Sequence, residues 1–432
     1  MNFNKNDNVE DVNLKEYNFS DAIDIGPTRS LSKGDSAKHV AMKDLKGFTK
    51  KITNFEIKEY KGGSKFKNDD ILMARITPCL ENGKTAFVDI LDEGEIAFGS
   101  TEFIVFSAKE DITIPHYVFY LITSPYIRRL AIKSMTGTSG RQRVDKRIFN
   151  QIKIKLPPIE EQKRIVKILK AFDDKIELNH HINGILEKIA HAIFKSWFID
   201  YEGFQDIEFK ESQLGSIPNG WRIGVLKEIL SSLESGKRPK GGVGDLNEGI
   251  PSIGAENILG LGKYDYTKEK FISKEFYKKM TKGRVKSGDV LLYKDGANLG
   301  RKSLFMDGFP HRTCCINEHV FILRVNEILP SPIYLFFWLD QERITQEIIN
   351  LNSGGAQPGI NMKSVYSIKI LIPDIETIEN FNSLIEPFIK KIMLNGNENK
   401  KLRKLRDLLL PQLISGRLRI NNPKDFLEEI KN

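Results

Sequence analysis

Two long stretches of the chain, residues 1–156 and 206–372, alternate apolar and polar positions over short distances. Runs such as GEIAFGSTEFIVF (94–106) and HVFILRV (319–325) have the alternating or β-branched pattern of strands, and Gly, Asn and Asp turn residues separate such runs. Each stretch also contains one aromatic-rich helix candidate, HYVFYLIT in the first and PIYLFFWL in the second. This pattern predicts two mixed α/β globular domains.

Two shorter stretches, residues 157–205 and 373–420, predict long helices, and residues 421–432 form a C-terminal tail. Apolar residues recur every seven positions in both stretches, as in a coiled-coil seam, and about 40 helical residues at 1.5 Å each would span roughly 60 Å. The predicted fold class is α+β, with two mixed α/β domains alternating with two long helices. The seven-residue positions are Ile165, Phe172, Asn179, Leu186 and Ile193 in the first helix and Phe381, Phe388, Asn395, Leu402 and Leu409 in the second, with Ile168, Ile182 and Ile189 at the intervening spacing.

A polar residue occupies the same seam position in both predicted helices, Asn179 in the first and Asn395 in the second. A lone polar residue in an apolar seam costs stability but fixes register and partner, so the two asparagines are candidates for a helix-pair registry device. The alternative is that each helix docks separately on its own globular domain. Pro387, Gly396 and Pro411 predict interruptions in the second helix that the first helix lacks.

The chain contains an internal duplication at an offset of 216 residues. Val144-Asp145 aligns with Ile360-Asn361, and IKIKLPPI (152–159) aligns with IKILIPDI (368–375). The match continues without a gap along the predicted helices. The chain is therefore two copies of one unit, each a globular domain followed by a long helix.

Length and charge agree with this organisation. The 432 residues predict two to three domains, and the net charge of +9, with a pI near 9.1, suggests a polyanionic partner. Most of the positive excess falls in the two globular stretches. No apolar run is long enough for a signal peptide or a membrane span, and three cysteines without CxxC spacing form neither a disulfide framework nor a thiolate zinc site. These features predict a cytoplasmic protein that does not contact membranes.

Catalytic and metal-binding motifs are incomplete in the sequence. The GKT of residues 83–85 lacks the leading glycine of a phosphate-binding loop, and the ExK triplet at residues 56–58 lacks an upstream Pro-Asp. His180, His181 and His191 do not share a helix face at metal-ligand spacing. These observations predict a chain without catalytic, metal or cofactor residues. A stand-alone nuclease or fused enzyme and a coiled-coil scaffold without DNA affinity are the alternatives.

Four segments resemble type I restriction-modification specificity (S) subunits. LPPIEEQKRIVKILKAFDDKIELN (156–179) and IAHAIFKSWFIDYEGF (189–204) are similar to the central helical region of that family, and LRKLRDLLLPQLISGRLRI (402–420) is similar to its distal one. IPNGWRIGVLKEI (217–229) resembles the start of a target recognition domain. The resemblance covers essentially the whole chain.

The resemblance implies a non-catalytic DNA-binding subunit with two target recognition domains, each reading one half of a bipartite, asymmetric site on double-stranded DNA. It also implies that the long helices pair as an antiparallel coiled coil, set the gap between the half-sites and dock two methyltransferase (M) subunits. In the full complex, restriction/translocase (R) subunits join these. S-adenosylmethionine, ATP and Mg are expected in the partner subunits and no cofactor is expected in this chain.

Candidate DNA-contacting residues follow from the chemistry of base and phosphate recognition. Arg and Gln or Asn side chains can read guanine and adenine edges, Lys mainly neutralises phosphates, and glycine-rich loops allow close backbone approach. The loops GTSGRQR (137–143) and SGGAQPG (353–359) occupy equivalent positions in the repeat. The candidates are Lys33, Lys38, Arg75, Arg141 and Arg143 in the first domain and Lys237, Arg238, Lys240, Lys294, Arg301, Lys302 and Gln357 in the second.

Overall fold

The architecture is that of a computed structural model that describes residues 14–204, 206–244, 246–352, 359–419 and 421–431. It divides into two compact units, one made of Met1–Lys175 with Leu402–Asn432 and the other of Ile176–Lys401. The two longest helices therefore each contribute one part to each unit.

The first half of the chain contains twelve strands and four α-helices in its described residues. Short 3₁₀ turns lie at Met42–Asp44 and Lys146–Gln151. The strands are β1 (Lys15–Asn18), β2 (Ile23–Ile25), β3 (Ser36–Val40), β4 (Glu56–Glu59), β5 (Ser64–Phe66), β6 (Ile71–Ala74), β7 (Thr85–Phe87), β8 (Ala97–Gly99), β9 (Phe103–Ala108), β10 (Met135–Thr136), β11 (Arg143–Val144) and β12 (Lys153–Leu156). The helices are α1 (Phe19–Ala22), α2 (Pro115–Thr123), α3 (Pro125–Lys133) and α4 (Ile159–Phe198).

The second half contains eleven strands and seven α-helices in its described residues, in a related but not identical order. The strands are β13 (Phe209–Ser212), β14 (Gly215–Pro218), β15 (Arg222–Val225), β16 (Leu230–Ser235), β17 (Ile250–Ile253), β18 (Phe271–Ile272), β19 (Asp289–Tyr293), β20 (Lys302–Phe305), β21 (Cys315–Ile316), β22 (Val320–Val325) and β23 (Lys369–Ile372). The helices are α5 (Leu226–Ile229), α6 (Lys274–Lys279), α7 (Pro332–Asp340), α8 (Glu342–Asn350), α9 (Met362–Tyr366), α10 (Ile375–Ile414) and α11 (Pro423–Lys431), with 3₁₀ turns at Ala255–Asn257, Tyr266–Lys268 and Gly296–Asn298.

Each half builds the same antiparallel four-stranded sheet, in the order β2-β9-β6-β7 in the first and β16-β22-β19-β20 in the second. A parallel pair accompanies each sheet, β3 with β8 and β17 with β21. The aromatic-rich helices predicted from the sequence are α2 and α7, and both pack on these sheets because nearly all their side chains are apolar and buried. The sequence repeat is therefore a repeat of topology.

An equivalent aspartate anchors the third strand of the four-stranded sheet in each half. Asp70 and Asp289 are each 1% exposed and accept a backbone hydrogen bond from the residue three positions earlier. Their charge partners come from different places in the chain, since Arg29 pairs with Asp70 at 2.9 Å and Arg324 pairs with Asp289 at 2.7 Å. Both halves therefore contain the buried carboxylate, but the arginine that pairs with it comes from a different position in each half.

The helix α10 is continuous through all three residues that predicted interruptions. Pro387 and Pro411 lie on the exposed face, where water can satisfy the carbonyls that lose their helical partner. Gly396 is buried against the ring of Phe309, and a Cβ atom at this position would come within 2.5 Å of that ring. The glycine therefore permits close packing and does not end the helix.

The buried face of α4 follows the predicted heptads only as far as Asn179. Ile165, Phe172 and Asn179 are buried, whereas Ile189 is 41% exposed. An α-helix with 3.6 residues per turn drifts about 20° per heptad from a strict seven-residue repeat, so the apolar seam shifts to other positions along a long helix. Beyond Asn179 the buried positions are Asn183, Ala190, Phe194 and Phe198.

Candidate nucleic-acid interface

In the first unit, three basic residues lie near one carboxylate at the end of the two inner strands of the four-stranded sheet. Arg75 directly follows β6 and Glu102 directly precedes β9, so antiparallel pairing places them side by side, with the Arg75 amide donating to the Glu102 carbonyl at 2.9 Å. The Arg143 guanidinium of β11 holds the same carboxylate at 2.8 Å, and Arg75 Nε lies 3.7 Å from it.

Lys146 adds a third positive charge beside this group. Partial desolvation lowers its pKa, and the charge of Arg75 lowers it further. Three cations around one carboxylate leave an excess positive charge that attracts polyanions.

A short hairpin made of β10 and β11 lies next to this cluster. The turn between β10 and β11 covers residues 137–142, and the backbone of its last residue is fixed by two hydrogen bonds to Thr77. Gln142 N donates to Thr77 Oγ1 and Gln142 O accepts from Thr77 N, both at 3.0 Å. Gly137 and Gly140 adopt positive φ angles of 123° and 78°, which favour glycine. Arg141, which also lies in the turn, is exposed.

The second unit builds a site at the equivalent positions from different side chains. Lys294 follows β19 as Arg75 follows β6, and its amide donates to the carbonyl of His319 at 3.0 Å. Ile360 N donates to Lys294 O at 3.0 Å, as Val144 N donates to Arg75 O at 2.8 Å.

The charges at this second site are more balanced. Asp295 accepts from Lys294 Nζ and from His319 Nδ1, both at 2.9 Å. Glu318 pairs with Arg238 at 3.0 Å and lies 3.3 Å from His319 Nε2. The two repeats therefore hold polar side chains in one backbone frame with different charge patterns, as expected for sites that recognise different partners.

The remaining candidates of the first unit fall into two groups. Lys33 lies in an exposed turn, where it is accessible to a ligand. Lys38 is instead held between Glu95 at 2.8 Å and Asp92 at 3.1 Å, with only 12% of its side chain exposed. Its pKa is raised, chiefly by the hydrogen bond to Glu95, so Lys38 stays charged and paired.

In the second unit, Lys237, Lys240 and Arg301 are exposed. Lys302 differs, because its side chain is 3% exposed and its ammonium binds Asp340 at 3.3 Å and Thr345 at 2.6 Å. Burial lowers the pKa of Lys302. Gln357 lies outside the described residues.

The two helices contact one another in the second unit through four buried asparagines. Asn179 Nδ2 donates to Asn399 Oδ1 at 2.9 Å and to Glu398 at 2.7 Å, and Asn395 Nδ2 donates to Asn183 Oδ1 at 2.8 Å. Residue numbers rise along α4 as they fall along α10, so the segments run antiparallel. Amide hydrogen bonds between buried asparagines on two helices oppose sliding, since a shift would break them.

In the first unit, an ion pair joins the two helices beside their shared apolar cluster. Arg406 of α10 binds Asp173 of α4 at 2.6 Å, and Tyr120 of α2 donates to the other oxygen of that carboxylate at 2.7 Å. Asp173 is 5% exposed, and the neighbouring carboxylates keep the pKa of Arg406 above its ordinary value despite burial. These three residues tie both long helices to the globular part of the unit.

Comparison with known proteins identifies a family whose features agree with this structure. Residues 13–188 and 218–404 match the family model for the type I restriction modification DNA specificity domain. The chain belongs to this family of type I restriction-modification specificity subunits. The two matched segments correspond to the two repeats.

Relatives of full length share this assignment. The chain is 26% identical to the type I restriction enzyme MjaVIII specificity subunit of Methanocaldococcus jannaschii over 98% of both chains. It is 27% identical to the HindI specificity subunit of Haemophilus influenzae, covering 84% of this chain and 90% of the relative. The crystal structure of the type I S subunit from M. genitalium is similar in fold, with a TM-score of 0.54, 15% identity and coverage of 96% and 98%.

Family membership establishes the general role. The specificity subunit is the non-catalytic component of a type I restriction-modification complex and carries no cofactor, while S-adenosylmethionine and ATP belong to the methyltransferase and restriction subunits. Within the described ranges, no three His, Cys, Asp or Glu side chains are grouped to hold a metal ion. Among the same residues, every helix is too short or too polar to cross a bilayer.

Sequence reasoning missed several residues of the specificity subunit that the structure brings to these sites. Glu102, Gln142 and Lys146 adjoin Arg75 and Arg143, but they lie far apart in the sequence or lack a motif. Asn183 and Asn399 could have been found, because they are an aligned pair of asparagines in the repeat, four residues after Asn179 and Asn395.

Proposed function

We propose that this specificity subunit binds a bipartite, asymmetric site on duplex DNA, with each globular domain reading one half. The observation that carries the proposal is the duplicated backbone frame around Arg75 and Lys294, which holds different side chains at equivalent positions. Two equivalent frames with unlike side chains suit two half-sites of unlike sequence. Residues 1–156 and 206–372 are the corresponding recognition domains in this proposal.

The exposed basic residues of both domains supply the general affinity for DNA. Lys33, Arg141, Lys237, Lys240 and Arg301 are accessible and would neutralise phosphates or reach bases. Lys38 and Lys302 take structural roles in this proposal, since carboxylates already neutralise them within the fold. The polar contacts between the helices, including Asn179 and Asn395, would fix the register that sets the gap between half-sites.

The partners follow from the same proposal. Two methyltransferase subunits dock on the helical regions, residues 157–205 and 373–420, and restriction subunits join in the complete complex. Exposed apolar residues on α4, namely Leu178, Ile185 and Ile189, lie along one stripe and offer a surface for such contacts.

The decisive experiment combines the chain with its cognate methyltransferase subunit in a host that lacks other methylation systems. Sequencing of methylated bases should give one bipartite motif with a fixed gap. Replacement of residues 1–156 by the first domain of a relative should change one half-site and leave the other unchanged. A change in both half-sites, or no methylation at all, would contradict the proposal.

A gel shift with duplex DNA separates this function from that of a scaffold. DNA affinity should fall steeply between low and moderate salt, because binding releases counterions from the phosphates. A scaffold without DNA affinity would give no shift at either salt concentration.

A further inference from the structure

The two residues at the end of the β10–β11 turn have side chains without partners among the described residues. Arg141 is exposed, and its guanidinium forms no ion pair or hydrogen bond within that part of the chain. Gln142 uses its backbone N–H and carbonyl for Thr77, while its side-chain amide bonds no other described residue. A fixed backbone thus carries two hydrogen-bonding side chains that the fold does not use.

Arg143, the next residue, is arranged differently. Its Nε donates to both carboxylate oxygens of Glu102, at 2.9 and 3.1 Å, and its Nη2 lies 2.8 Å from that carboxylate, so the ion pair holds the guanidinium. Arg75 Nε lies 3.7 Å from the same carboxylate, and the charges of Arg75 and Glu102 both act on the pKa of Lys146. The guanidinium of Arg143 is therefore held in place, while the side chains of Arg141 and Gln142 at the end of the turn are available.

These two groups match the two purine edges in the major groove. An amide can bond adenine N6 and N7 together, a guanidinium can bond guanine O6 and N7, and the groove admits a two-stranded ribbon. The turn contains no acidic residue, and its glycines at 137 and 140 leave no side chain between the backbone and a ligand. The hairpin therefore has the charge and side chains of a base-reading element.

We propose, building on the function proposed above, that the β10–β11 hairpin reads bases of the first half-site through Arg141 and Gln142. Arg75, Arg143 and Lys146 bind the phosphates beside it. Glu102 is a positioning residue that aligns Arg75 and Arg143 and limits their charge, so that the hairpin does not bind every sequence equally well.

The test measures methylation by the complex of this chain with its methyltransferase subunit, using Arg141→Ala and Gln142→Ala variants. Each variant should lose discrimination at one position of one half-site, by about 5- to 140-fold, the range for one bidentate base contact. The other half-site should keep its sequence. Arg129→Ala is the matched control, because Arg129 is exposed and its Nε bonds the carbonyl of Pro125 within its own helix.

Further variants separate specificity from folding and from phosphate binding. Gln142→Glu should change the preferred base toward cytosine, whose amino group a carboxylate accepts, and a misfolded chain could not acquire a new preference. Arg143→Ala should weaken binding to all sequences and reduce the salt slope by about one. Glu102→Gln should strengthen non-specific binding while it lowers the ratio of cognate to non-cognate methylation.

Unchanged motifs and discrimination in both Arg141→Ala and Gln142→Ala would overturn the inference and leave the proposed function intact. If the wild-type chain directs no methylation at a bipartite site, the proposed function falls and the inference falls with it. The two failures are therefore distinguishable in the same experiment.

Discussion

Asn179 and Asn395 make the same contact from opposite helices. The first donates to Asn399 at 2.9 Å and the second donates to Asn183 at 2.8 Å. Asn179 and Asn395 are 216 residues apart, as are Asn183 and Asn399, so the sequence repeat relates one contact to the other. An antiparallel pair of duplicated helices produces such a local two-fold relationship.

Removal of one amide from this group should destabilise the second unit. Asn395→Ala leaves the Oδ1 of buried Asn183 without its donor, at a cost of about 1–3 kcal/mol in the free energy of unfolding. Urea denaturation followed by circular dichroism measures the change. The exposed Asn150→Ala variant is the control and should stay within about 0.5 kcal/mol of the wild type; an equal effect of both variants would argue against a structural role for the pair.

The Asp173–Arg406 pair should show strong coupling between its members. Arg406→Met leaves a buried carboxylate without its cation and should cost about 3–5 kcal/mol. The double variant Asp173→Leu/Arg406→Met should cost much less than the sum of the single substitutions, because it removes both charges together. A double-mutant cycle in urea measures this coupling, and additive costs would show that the two charges act independently.

His116 should make the first unit less stable in mild acid. Burial and the nearby Lys50 ammonium lower its pKa to about 4, compared with about 6.5 in an unfolded chain. Between pH 4 and 6.5 the unfolded chain binds a proton at this imidazole and the folded unit does not, so a lower pH favours the unfolded chain. The free energy of unfolding is therefore unaffected by His116 above about pH 6.5 and declines as the pH falls toward 4.

The comparison of urea midpoints near pH 7 and near pH 5 tests this effect. His116→Gln should lose less stability over that interval than the wild type, whereas His181→Gln, on an exposed helix position, should behave as the wild type. The same loss in all three proteins would assign the pH dependence to other groups.

Lys302 should affect stability without affecting the affinity for DNA. Lys302→Ala removes the buried partner of Asp340 and Thr345 and should cost about 1–3 kcal/mol in the free energy of unfolding. The exposed Lys237→Ala variant should have the opposite profile, with unchanged stability and weaker binding. Thermal melts and fluorescence anisotropy on duplex DNA distinguish the two, and a loss of affinity in folded Lys302→Ala protein would contradict the assignment.

The organisation of the chain could be predicted from its sequence because hydrophobic periodicity and duplication are long-range signals. The aromatic helices α2 and α7 and the long helices α4 and α10 were predicted on this basis. Interruption of α10 was wrongly expected at Gly396, since its packing on Phe309 depends on a residue far away in the sequence. The domain boundaries at residues 156, 205, 372 and 420 stay predictions.

The chemistry of the site was less accessible from the sequence. Lys38 and Lys302 have the composition of DNA-binding residues, but their carboxylate partners come from distant strands and helices, so neither pairing has a local pattern. Gln142 has no distinguishing motif, and it stands out only once Thr77 is seen to hold its backbone.

The ion pair between α4 and α10 limits which gene segments can recombine into this chain. The asparagine contacts are common to both repeats, and a gene rearrangement that exchanged one repeat for the other would preserve them. Asp173 and Arg406 have no such symmetry, because their aligned positions hold Ile389 and Ala190. Recombination that brings in a new second half must therefore also bring a cation for Asp173, which restricts the lineages from which this gene can acquire a new specificity.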